Sequence, residues 1–205
     1  LAQQSIREMT RTQRTPDEVM DAATWGVLQE GFREPFGADA DHLQQPGDID
    51  QTAAAGFQMF TIDPGRHVEN QADEFPVNLL ADYLEKMDFA ALEISPADLK
   101  NAYVGRTFPL DGGGSVSFDE IAFLRAMVKY GAAVAHTAAM YRRLSEAARG
   151  EFELEVSVDE TDSPTTAAEH YFFANELKRL GVRWVSMAPR FIGRFEKGVD
   201  YIGNL

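Results

Sequence analysis

Apolar positions change their spacing several times along the chain, and each change marks an element. From Thr15, the run TPDEVMDAATWGVLQEGF places Val19, Ala23, Val27 and Leu28 at helical intervals. Thr15 and Glu18 form a capping-box pattern, with Pro16 at the first helical position, where no N–H is needed. The next stretch, PFGADADHL, predicts a strand ending near Ala38. Pro46 to Ala55 predicts a short helix closed by Gly56, a residue that takes left-handed backbone without a Cβ penalty. FQMFTI, Phe57 to Ile62, is apolar enough for a strand buried on both faces.

The C-terminal third repeats that alternation. FELEVSV (Phe152–Val158) predicts a strand, TAAEHYFFANELKRL a helix capped by Thr166 and Glu169 and ended by Gly181, and VRWVSMA a returning strand. Strands joined by short helical crossovers pair in parallel. The middle is more helical, with segments at Val77–Lys86 and Pro96–Tyr103. FAALEI (Phe89–Ile94) is too short for periodicity to choose between helix and strand. After the DGGG turn (Asp111–Gly114), Ser117 and Glu120 open one long helix reaching towards Gly150, with Gly131 as a bend or a close-packing point. At 1.5 Å per residue its roughly 30 residues span about 45 Å.

These elements predict an α/β fold of parallel strands and helical crossovers, its sheet open or closed, with residues 1–205 as a single domain. Four strands are counted, five at most. An open sheet edge predicts a homo-oligomer.

Charge narrows the partners. A net charge of -14 repels phosphate backbones, so no nucleic-acid partner is expected. The absence of cysteine excludes disulfides, thiolate nucleophiles and cysteine-ligated zinc. No apolar run approaches the roughly 20 residues of a membrane span, and no secretory pattern opens the chain. No membrane partner and a cytoplasmic location are expected.

The polar residues gather where apolar runs stop. Asp39, Asp41 and His42 follow the first strand, Asp63 the second with His67 and Glu69 beyond it, Asp159 and Glu160 the third, and Arg190 the fourth. Parallel strands present their carboxyl ends to one face, where ligands bind. Asp39 and Asp41 also suit turns or helix caps, and Asp63 stands in an ordinary Asp-Pro-Gly turn. Glu160 has no such local duty. His42, beside two carboxylates, suits metal ligation or proton transfer, and His67 is similar but further along its loop. His136, among alanines, and His170, on a face with Phe173 and Leu177, read as packing residues. HExxH, GxGxxG, GxSxG and the phosphate loop are absent.

GADADHL, TAAAGFQMFTIDPGRHVENQADEF and above all EVSVDETDSPTTAAEHYFFANELKRLGVRWVSMAPRFIGRFEKGVDYIG closely resemble the tagaturonate epimerase family, from about Thr15 to the last residue. The resemblance implies interconversion of D-tagaturonate and D-fructuronate in hexuronate catabolism, a sugar-acid substrate and a divalent metal cation. It implies His42 as a metal ligand, with Asp41 and Glu160 as acid/base groups. Arg190, Lys197, His67 and Asp159 would hold the substrate. The resemblance also implies a TIM-like (β/α) barrel, which in full needs eight strands and typically about 250 residues. Family members are longer at both ends, so this chain is expected to be a partial barrel truncated at both ends, with part of the site beyond it. The rival readings are another metal-dependent sugar-acid aldolase or isomerase, and an inactive segment that binds sugar acids or only self-associates.

Overall fold

The structure is a computed structural model, and it describes residues 1–193. The chain begins with β1 (Ala2–Gln3), α1 (Ile6–Thr12), α2 (Pro16–Gln29), β2 (Ala38–Leu43), α3 (Pro46–Ala55) and β3 (Met59–Ile62). Two short 3-10 turns, Gly65–His67 and Asn70–Asp73, lead to α4 (Val77–Glu85) and α5 (Pro96–Tyr103). A hairpin of β4 (Arg106–Pro109) and β5 (Ser115–Phe118) precedes α6 (Glu120–Ala147). The described chain closes with β6 (Glu153–Val158), α7 (Ala167–Arg179) and β7 (Ser186–Pro189). These elements divide into two compact units. The first holds Leu1–Pro64, Thr137–Ser157 and Arg183–Ala188; the second holds Gly65–His136, Val158–Val182 and the residues from Pro189.

The first unit is built on a five-stranded sheet in the order β1-β2-β3-β6-β7. β1, β2, β3 and β6 pair in parallel, with Asp39 opposite Met59 and Met59 opposite Glu153. Strand order follows chain order without reversal, as successive βα units require when each adds to the same side of the sheet. The parallel sheet and helical crossovers agree with the α/β expectation, and among the described residues the sheet is an open array of five strands. Ala38, Ala40, Phe60, Ile62, Leu154 and Val156 are buried. Alternation sends Asp39, Asp41, Thr61 and Glu155 to the opposite face, which is therefore polar.

That polar face corrects one boundary. β2 begins at Ala38 instead of ending near it, so Asp41 and His42 lie inside the strand. The Asp-Ala-Asp alternation reads as a turn only if both faces of the strand are assumed to be apolar. The fourth expected strand also shifts: β7 starts at Ser186, and Val185 before it is 61% exposed. Phe89–Ile94 is neither helix nor strand but a series of turns.

The second unit has an aromatic core. Tyr103 sits 5.1 Å from both Phe118 and Phe172 and 6.0 Å from Phe123, ring to ring. Each such pair adds roughly 0.5–1.5 kcal/mol to the burial of its rings. The Tyr103 hydroxyl donates to Glu176 Oε1 at 2.7 Å and accepts from Asn175 Nδ2 at 2.7 Å. Arg179 holds the other carboxylate oxygen of Glu176. Gly131 is a close-packing point: a Cβ there would collide with the methyl ends of Met87 and Met127.

Candidate active site

The pairing of β2 with β3 shifts between Ala40 and Leu43, and within that irregularity His42 has φ +54°. Left-handed backbone costs a non-glycine residue about 1–3 kcal/mol, though histidine tolerates it better than most. A bulge re-aims a side chain, and here it sets the imidazole between two carboxylates. His42 Nε2 lies 3.5 Å from Asp41 Oδ1, and His42 Nδ1 lies 3.5 Å from Asp63 Oδ2. These are charge contacts at the outer limit of hydrogen bonding.

Asp63 is buried, and its Oδ2 accepts a 2.7 Å hydrogen bond from Gln44 Nε2. Its own N–H donates to Leu43 O at 3.0 Å, which carries the β2–β3 ladder one step past Ile62. Asp48 Oδ2 accepts from the backbone N–H groups of Gln44 and Gln45, fixing the loop that follows β2. The Asp63 of the ordinary-looking Asp-Pro-Gly turn is thus an oriented partner of His42. Its adjacency to a fully apolar strand end was the available signal.

On the polar face, Asp39 Oδ2 accepts from Gln3 Nε2 at 2.8 Å, while its buried Oδ1 has no hydrogen-bond partner among the described residues. Burial first, then the neighbouring Asp41 and Glu155 carboxylates, push the Asp39 carboxyl up to about 6. Asp39 is therefore a group that takes a proton easily, two residues from Asp41.

Within the second unit, Asp159 and Glu160 follow β6 and are both exposed. Arg190 follows β7; its guanidinium approaches Asp159 O at 3.4 Å, and its backbone exchanges hydrogen bonds with Thr165. His67 stacks on His136, centroids 3.9 Å apart and planes 20° apart, in the wall of a cavity of about 710 Å³. His136 thus belongs to a cavity wall instead of a closed core. Lys197 lies outside the described residues.

A divalent cation needs converging donors, and no group of three His, Asp or Glu side chains among the described residues could hold one. The reason is local. Asp41 and Asp63 face opposite nitrogens of His42, so Asp41 and His42 supply at most two ligands at one point. The described residues do not form a metal site by themselves.

A parallel sheet with helical crossovers, carrying Asp41, His42 and Asp63 at the carboxyl ends of two neighbouring strands, defines an α/β protein. A family model described as tagaturonate epimerase (UxaE) matches residues 1–205, and the chain belongs to that family. It is 43% identical over 204 residues to a tagaturonate/fructuronate epimerase of Thermotoga maritima, covering 100% of this chain and 40% of that protein. The native crystal structure of the fructuronate-tagaturonate epimerase UxaE from Cohnella laeviribosi superposes with a TM-score of 0.88 at 35% identity. A glycerol complex of the same enzyme gives 0.87 at 36%. Both matches cover 100% of this chain and 41% of the solved one. The chain therefore spans about two fifths of the length of these relatives.

Proposed function

We propose that this chain carries part of the acid–base machinery of an epimerase interconverting D-tagaturonate and D-fructuronate. The observation that carries the reading is the strained His42 set between Asp41 and Asp63, in a chain of the tagaturonate epimerase family. The two sugar acids differ at the hydroxyl-bearing carbon β to the ketone, whose own proton is not acidic. Retro-aldol cleavage inverts that centre. Asp41 takes the hydroxyl proton, the bond between the α and β carbons breaks, and an aldehyde and an enolate result. The aldehyde turns its other face, the enolate carbon attacks it to re-form the bond, and the proton returns to the new alkoxide.

Asp41 is the base, and His42 shares the proton through Nε2. Asp63, buried and bound by Gln44, orients the ring through Nδ1 in a positioning role. Glu160 is assigned as the second acid/base group. Arg190, with Lys197 and Asp159, is assigned to the substrate carboxylate and hydroxyls, since a planar guanidinium matches a carboxylate fork. The divalent cation expected from the family enters no step here: His42 would contribute one ligand, and the others would have to lie beyond the described residues.

The test is conversion of D-fructuronate to D-tagaturonate by the full-length protein carrying Asp41→Asn or Glu160→Gln. Loss of an acid/base group lowers turnover by roughly 10²–10⁴-fold. Full activity in both variants would sink the assignment. Release of a free aldehyde fragment in place of the epimer would favour an aldolase.

A further inference from the structure

The cavity of about 710 Å³ in the second unit brings together wall groups to which, His67 aside, the epimerase reading gives no role. Arg66 and Lys86 line it together with the stacked His67 and His136. Two acids also line it, each with one carboxylate oxygen held by a backbone N–H. Glu69 Oε1 accepts from Gln71 N at 3.2 Å, and Asp88 Oδ1 accepts from Ala91 N at 3.1 Å. Arg66 and Lys86, by contrast, make no ion pair among the described residues. The chain has 33 acidic residues against 19 lysines and arginines, so two uncommitted cations at one cavity run against its composition. The rest of the lining is largely apolar, with Tyr83, Met87, Val128 and Ala135 prominent.

An apolar hollow of this size with a few polar groups is the general form of a small-molecule site. Two cations ask for a carboxylate or a phosphate, imidazoles donate to or accept from hydroxyls, and a Tyr ring offers a face to sugar C–H groups. We propose that this cavity binds a sugar-sized organic anion, its charged group held by Arg66 and Lys86 and its hydroxyls by the His67–His136 stack. The inference stands on the second unit alone and uses none of the acid–base residues of the epimerase reading.

Calorimetric titration of the protein bearing Asp41→Asn tests it, because that background removes turnover without touching the cavity. The probes are D-galacturonate, glucose 6-phosphate, inorganic phosphate and neutral galactose. Saturable binding of at least one anion is expected, with galactose silent. Galacturonate alone would identify the charged group as a carboxylate, and the phosphate probes alone as a phosphoryl group. Arg66→Ala with Lys86→Ala should weaken binding about tenfold or more, and Ala132→Phe, which fills the cavity without changing charge, should abolish it. No anion binding, or binding indifferent to both variants, overturns the proposal.

Discussion

Two clusters of charged side chains in this protein look alike in composition and differ in every physical respect. Around Lys129, the ammonium donates to Asp73 Oδ2 at 2.8 Å, to Glu169 Oε1 at 2.9 Å and to Ser163 Oγ at 2.9 Å, with the lysine side chain fully buried. Burial opposes the Lys129 charge, but the hydrogen bonds it donates to Asp73 and Glu169 outweigh it and hold its pKa above the ordinary value. Around His42, the contacts to Asp41 and Asp63 are 3.5 Å, the ring is 29% exposed, and the backbone is left-handed. The first cluster uses all three ammonium protons on short bonds, with the ammonium itself out of reach of solvent. The second has longer contacts, a partly exposed ring and strain stored in the histidine backbone. A lysine with two carboxylates is thus a strut here, while the histidine with two carboxylates is the edge proposed to do the chemistry.

Substitutions can break or sharpen that contrast. Lys129→Met keeps the bulk and strands Asp73 and Glu169, so unfolding free energy should fall by about 3–5 kcal/mol in a denaturant titration. A loss below about 1 kcal/mol would mean that the network is not a strut. His42→Gly should do the reverse, removing left-handed strain and raising stability by up to about 1 kcal/mol while turnover is lost. Destabilisation on the scale of the lysine variant would erase the distinction between the clusters.

Asp39→Asn should have the smallest effect and a pH signature. The folded carboxyl, raised from 3.8 to about 6, binds a proton that the unfolded chain releases. The wild type therefore loses stability as pH rises between those values. The full shift corresponds to about 3 kcal/mol, and solvent screening of this half-exposed group reduces it to roughly 1 kcal/mol. The variant should be that much more stable at pH 7 and equal to the wild type below about pH 4, as read from thermal melts across the range.

Where local chemistry decided an element, the sequence disclosed it. The capping boxes at Thr15 and Thr166, the left-handed Gly56 and the long helix ending near Ala147 all follow from residues within one or two turns. Elements decided by tertiary neighbours stayed hidden. β1 is two residues long and exists because Gly37 and β2 accept it as a partner. The hairpin β4–β5 flanks a glycine turn with four-residue strands, too short for alternation to register. At the site, Asp41 and His42 were legible as residue types, while the bulge that sets His42 between carboxylates depends on the β3 register. Asp63 was undervalued because a turn explains an aspartate before a proline just as well. Lys129 was invisible, since its partners are distant in sequence: 56 residues at Asp73 and 40 at Glu169.

The sheet's middle seam also has a consequence in time. β2 meets β3 through Asp39 and Met59, whereas β3 meets β6 through Met59 and Glu153. The second closure spans a loop about fivefold longer, which costs about 1.4 kcal/mol more in chain entropy and makes the encounter roughly tenfold rarer. On the ribosome, at about 5–20 residues per second, the intervening segment takes roughly 5–20 s to emerge. During that interval β2 and β3 can already pair, while the outer edge of β3 still waits for β6. Met59–Ile62 is then an apolar strand with open backbone on one side, and it is the stretch of the nascent chain that a chaperone has most reason to cover.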